Sequence, residues 1–137
     1  MTMPVDISWP KTKKNVEEIV TKYVYFVLSV NSSYTTSMIN SDFLLNEIEN
    51  SEIKNPYSKI EISEIKSRIE FINYFINSFN KLTSLERKII YWTYIDKENN
   101  YDDRFIANNL GFSLGYYYIK KKEAIIRFAY CLGVEEK

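Results

Sequence analysis

Ala107, Gly111 and Ser113 stand at the spacing of a helix crossing, a tight turn and a fresh helix start. They lie just ahead of the run Leu114-Gly115-Tyr116-Tyr117-Tyr118-Ile119-Lys120-Lys121-Lys122. A helix-turn-helix needs a small residue where its two helices cross, a glycine four residues later to turn the chain, and a capping hydroxyl to launch the second helix. In such a unit the second helix enters the major groove of duplex DNA, with its first two turns against base edges. Tyrosine hydroxyls and lysine ammonium groups donate to phosphates, and lysine also reaches guanine acceptors. With Tyr117, Ala124, Ile125, Phe128 and Leu132 facing inward, Leu114, Gly115, Tyr118, Lys121 and Lys122 are expected to face the groove. The candidate DNA-binding set is therefore Arg104, Ser113, Leu114, Gly115, Tyr116, Tyr118, Lys120, Lys121, Lys122 and Arg127. Lys121→Glu combined with Lys122→Glu is expected to abolish binding and to leave helix content unchanged. Two plainer readings stand beside this one. Any helical hairpin with a glycine turn shares the spacing, and a lysine run toward a helix C-terminus is favoured by the helix dipole alone.

Few reagents for catalysis are present. The chain has one cysteine, Cys131, and no histidine, which excludes an internal disulfide, a zinc site of the usual ligands and a Cys–His nucleophile. Asp102-Asp103 and Glu17-Glu18 read as a helix cap and a first-turn acidic pair rather than as an acid–base dyad. Neither an enzyme nor a cofactor or metal site is expected. Cys131, on the last apolar face, reads as a small buried hydrophobe. No apolar run reaches membrane-spanning length and the first residues lack a signal-peptide pattern, so a cytoplasmic protein is expected. The 18 basic and 18 acidic residues cancel, which is unusual for a nucleic-acid binder. Residues 1–80 hold 8 Lys/Arg and 10 Asp/Glu, whereas residues 81–137 hold 10 and 8, so what basic excess there is falls on the C-terminal part.

The elements that position these residues are helical. With only three glycines and three prolines, long spans rich in Ile, Leu, Glu and Lys run unbroken, and an all-α helical bundle is expected. Val16, Val20, Tyr23, Val27 and Val30 recur at steps of four and three, the stripe of an amphipathic helix from about Lys13 to Val30. Asn31 to Tyr57 reads as a linker with a short helix at 42–49. Ile62, Ile65, Ile69, Ile72, Ile76 and Phe79 form a heptad-like seam on a long helix, 59–80, which suits packing inside its own domain and also a homodimer. Leu82-Thr83-Ser84-Leu85-Glu86 has the form of a capping box opening a helix to about Ile95. Asp102 or Asp103 caps a short helix, 104–110, that Gly111 ends, and Ser113 caps a last helix that Gly133 ends. The division expected is an N-terminal helix and linker region, 1–57, followed by a long helix and helix-turn-helix domain, 58–137.

The chain resembles the ArpU family of phage and prophage regulators, with kinship to RinA-type late activators and to the sigma-factor domain that reads the upstream promoter element. The residues that carry the resemblance are Lys11 to Glu17 with Lys22-Tyr23, Leu82 to Ile90, the Ile106-Ala107 to Leu110-Gly111 turn, and Phe128 to Glu135. It departs from the sigma-like pattern at Lys120, where relatives keep an aliphatic residue facing the core. The resemblance implies a sequence-specific activator of late packaging, morphogenesis or lysis genes, acting on promoter DNA with the host RNA polymerase. Two other readings keep the same helices. A small terminase subunit would bind phage DNA and assemble a ring through the 62–79 seam, and a polymerase-binding module would make no direct DNA contact.

Overall fold

The computed structural model describes residues 6–30, 42–47, 62–96 and 99–137. They are all-helical in their regular structure: α1 (Trp9–Val30), α2 (Ile62–Asn80), α3 (Ser84–Ile90) with a π-helical continuation (Tyr91–Ile95), α4 (Asp103–Leu110) and α5 (Leu114–Leu132). α1 begins ahead of the lysine at which periodicity starts. Pro10 fits a first helical turn, where its missing N–H leaves no bond unmade, and the Ser8 carbonyl accepts from the Thr12 amide at 2.9 Å.

α1, α2 and α5 share one core. Val16, Val20, Tyr23 and Val27 of α1 are buried with Ile72, Phe75, Ile76 and Phe79 of α2 and with Ala124, Ile125, Phe128 and Leu132 of α5. Phe75 is the meeting point. Its ring stacks on Tyr23 at 3.9 Å and meets Phe128 edge-on at 5.3 Å, so one side chain of α2 touches both neighbouring helices. The α2 seam is thus covered within the chain: Ile69, Ile72, Ile76 and Phe79 are all buried, and Ile65 is half-buried. The side chain of Ile62 and residues 59–61 lie outside the described residues. The two ends of the chain are also tied together. The Ser8 amide donates to the Glu136 carbonyl at 2.7 Å, and the Asn15 side-chain amide donates to the Val134 carbonyl at 3.0 Å.

The short helix expected at 42–49 is absent from its described part, 42–47. Phe43 has a left-handed backbone, φ 59°, which no helix accommodates. The Leu45 peptide is clasped from outside: its N–H donates to Asn80 Oδ1 and its carbonyl accepts from Asn80 Nδ2, both at 3.0 Å. A side-chain amide of α2 thereby replaces the backbone partners a helix would supply. Residues 48 and 49, and most of the linker expected over 31–57, lie outside the described residues.

α3 opens on the expected capping box, with the Glu86 amide donating to Thr83 Oγ1 at 3.2 Å and the Thr83 amide donating to the Glu86 carboxylate at 2.9 Å. Its last turn widens: the Asp96 amide donates to the Tyr91 carbonyl at 2.8 Å, a five-residue spacing. Among the described residues no helix is long and apolar enough to cross a membrane.

Because Phe75 bridges α1 and α5, Phe75→Ala removes a ring that neither helix replaces. The expected loss is about 3–5 kcal/mol, read as a lower urea midpoint at unchanged slope.

Candidate nucleic-acid interface

The short helix, turn and long helix form as their residue types dictate. Asp102 is the cap of α4, its Oδ1 accepting from the Phe105 amide at 2.8 Å. Gly111 ends α4 with φ 73°, a left-handed position where glycine carries no Cβ penalty. Ser113 then caps α5, accepting from the Tyr116 amide at 3.2 Å. Ala107 is buried at the crossing beside Ile106, while Leu110 and Phe112 pack half-buried on the same core. As periodicity anticipated, Tyr117, Ala124, Ile125, Phe128 and Leu132 are the inward face of α5.

Tyr117 fixes the rotation of α5. Its ring is fully buried, and its hydroxyl donates to Asp103 Oδ1 on α4 at 3.0 Å. The same oxygen accepts from Lys121 Nζ at 2.9 Å, one turn further along α5. Burial pushes the Tyr117 phenol well above its ordinary value. The neighbouring Thr93 offsets part of this, and the adjacent Asp103 carboxylate adds to it. Tyr94 is raised in the same direction, first by burial and then by Glu17, to whose carboxylate its hydroxyl donates at 3.2 Å.

This arrangement corrects the expected groove-facing set. Lys121 is not presented outward; only 18% of its side chain is exposed and its ammonium is held by Asp103. Leu114 packs half-buried against the core. Arg127 pairs with Glu86 of α3 at 2.9 Å and so braces α5 against α3. Lys120, the departure from the sigma-like pattern, is half-buried, its ammonium 3.4 Å from Glu123 and over the Tyr116 ring. The Glu123 pairing and, after it, the Tyr116 phenol raise the Lys120 pKa.

What remains outward is Gly115, Tyr116, Tyr118, Ile119 and Lys122, with Ser113 at the entry and Arg104 on α4. Tyr118 and Ile119 are 49% and 58% exposed, so both flank the outer face. A Cβ added at Gly115 would meet nothing within 4 Å, which leaves the backbone of the first turn bare.

Three participants escaped sequence reasoning. Asp103 reads locally as a cap alternative, and its bonds to Tyr117 and Lys121 span a chain reversal that no periodicity encodes. Trp9 and Lys13 begin α1, yet Lys122 of α5 lies over the Trp9 ring at 5.1 Å, with Lys13 6.0 Å from the same ring. A tryptophan beside a lysine-rich stretch was the available signal. Elsewhere Cys131 is half-buried, and burial pushes its thiol up, away from the reactive thiolate. Among the described residues no cluster of three His, Cys, Asp or Glu side chains is placed to hold a metal ion.

No protein-family model matches the chain, and neither a curated protein nor a solved structure matches it.

Two expectations follow from the Asp103 link. Lys121→Glu sets a second carboxylate against Asp103 and should lower stability by about 1–2 kcal/mol, whereas exposed Lys122→Glu should leave the thermal midpoint nearly unchanged. The double variant is therefore destabilised, and Lys122→Glu alone is the cleaner probe of binding. The fold holds Tyr94 and Tyr117 as neutral phenols with raised pKa values. Their contribution is complete below the unfolded-chain value of 10.0 and is lost as the pH climbs above it. Tyrosinate absorbance in an alkaline titration should rise in two stages, the later one coinciding with loss of helical dichroism; with Tyr117→Phe the later stage should shrink.

Proposed function

We propose that the chain is a sequence-specific DNA-binding transcriptional regulator that lays the first two turns of α5 into the major groove. The observation that carries this reading is the uncovered face Gly115, Tyr118, Ile119 and Lys122, held at a fixed rotation by the burial of Tyr117. A major groove of B-DNA admits one α-helix, and a bare glycine in its first turn lets the backbone approach base edges and phosphates closely. Arg104, Asn108 and Asn109 are exposed on α4, the helix that crosses the DNA backbone in such an arrangement. The resemblance to ArpU-type regulators narrows the proposal to activation of late phage genes together with the host RNA polymerase.

One observation favours a second reading, a module that docks on a protein such as polymerase. The outward side chains are largely apolar, with Phe105, Tyr116, Tyr118 and Ile119 exposed by 45–58%, while Lys120 and Lys121 are ion-paired. Aromatic residues in a patch with few free charges match the centre of a protein interface. Selection from a random duplex pool, followed by a gel shift on the enriched sequence, separates the two. An enriched motif bound by a monomer or dimer supports the regulator. Absence of enrichment even at low salt favours the protein-docking module, and a large ring by light scattering favours a terminase-like packaging protein.

Two variants test the face itself. Gly115→Ala fills open space within a helix and should raise stability by up to about 0.5–1 kcal/mol while weakening binding to the enriched duplex. Tyr118→Ala should weaken binding to that duplex by on the order of tenfold, about 1–3 kcal/mol per lost base contact, and relax the enriched motif at one position. Unaltered affinity in both variants would overturn the groove-facing assignment.

A further inference from the structure

Charge on the proposed DNA-binding helix is scarce, and the structure shows where more is available. Lys120, Lys121 and Arg127 each have a carboxylate partner within 3.4 Å, so these cations already stand in internal pairs. Lys122 does not. Its ammonium instead lies 5.1 Å from the centre of the Trp9 ring, at the start of α1, with Lys13 6.0 Å from the same ring. Among the described residues neither Lys13 nor Lys122 has a carboxylate within ion-pair distance. The nearest acids along α1 are Glu17, which accepts from Tyr94, and Glu18; at the chain end Lys137 takes Asp6 and Asn15 takes Glu136.

A cation over an indole face is attracted to it and keeps part of its hydration, so Trp9 gathers ammonium groups from two helices without neutralising either. The lysines so gathered adjoin the outer face of α5, because Lys122 belongs to that face and to the Trp9 cluster at once. A duplex seated on Gly115, Tyr118 and Ile119 would bring its sugar-phosphate backbone past Lys122 toward the opening turns of α1.

We propose that Lys13 of α1 and Lys122 of α5, gathered at the Trp9 ring, form a phosphate-binding platform that holds the DNA backbone beside the groove read by α5. The inference rests on the DNA-binding reading and adds the part of the chain that supplies its electrostatics. It also assigns a task to the N-terminal helix, which is otherwise a core element. Phosphate contacts set register and orientation without reading sequence, so the platform acts equally on every duplex.

The test is a salt titration of binding by fluorescence anisotropy, with wild-type protein and the Lys13→Gln variant. The probes are the enriched duplex and a mixed-sequence duplex of the same length. Lys13 is half-buried, and circular dichroism would verify that the variant keeps its helix content. The variant should bind both duplexes more weakly, by on the order of 3- to 10-fold, and the slope of log affinity against log salt should become shallower by about 1. Wild-type binding with an unchanged slope in the variant would overturn the platform and leave the α5 reading standing. Failure of the wild-type protein to bind either duplex at low salt would overturn both.

Discussion

The burial of Tyr117 is the constraint on which the candidate site depends. A helix with tyrosine at three consecutive positions has no unique rotation by composition, since Tyr116, Tyr117 and Tyr118 suit a half-buried surface equally well. The apolar period of α5 turns Tyr117 inward, and hydrogen bonding secures that choice. A phenol taken out of water needs a partner, and Asp103 supplies an acceptor at the one position where the start of α4 meets the second turn of α5. Lys121 then balances the charge that this leaves on the carboxylate. Once Tyr117 is inside, its two neighbours are forced outward, and Gly115, Ile119 and Lys122 follow by helical geometry.

The core has a similar economy of means. Aromatic rings form most of the joints between helices: Tyr23 on Phe75, Phe75 and Phe79 on Phe128, and Phe26 on Phe71. Cations are layered onto the outer rings, with Lys22 over Phe71 at 4.3 Å and Arg68 over Phe26 at 4.9 Å, so α1 and α2 are joined at their rim by contacts that tolerate solvent. Among the described residues of a chain with equal numbers of acidic and basic residues, charges thus stand in internal pairs, over aromatic faces and at the surface.

How much of this was legible beforehand depended on the range of the interaction responsible. Caps and stops were readable because they are local. Thr83 with Glu86, Ser113, Gly111 and Gly133 act within four residues of their partners, and each stands where its residue type suggests. The inward faces of α1, α2 and α5 were readable because burial repeats with the helical period. The segment 42–47 was not, because an Asn80 clasp from 35 residues away and a left-handed Phe43 decide it. The fates of Lys121 and Arg127 were equally hidden. A lysine or arginine on a helix flank looks the same in sequence whether solvent or a carboxylate from another helix meets it, and here Asp103 and Glu86 do.

Pairing of the central cations has a consequence for how such a surface discriminates. Non-specific attachment to DNA is almost wholly phosphate neutralisation, so a helix with free lysines along its length binds all duplexes well and gains little from the right one. Holding Lys120 and Lys121 in internal pairs removes much of that indiscriminate attraction from the face that would read bases. It leaves apolar and hydroxyl contacts from Tyr118 and Ile119, which respond to thymine methyls and local shape. In the proposed complex, charge displaced to the edge of the face, over Trp9, would still draw the backbone in without competing with base recognition at the centre. On the proposed reading, separating attraction from recognition in this way would let a chain of zero formal charge favour one site over many, at the expense of total affinity.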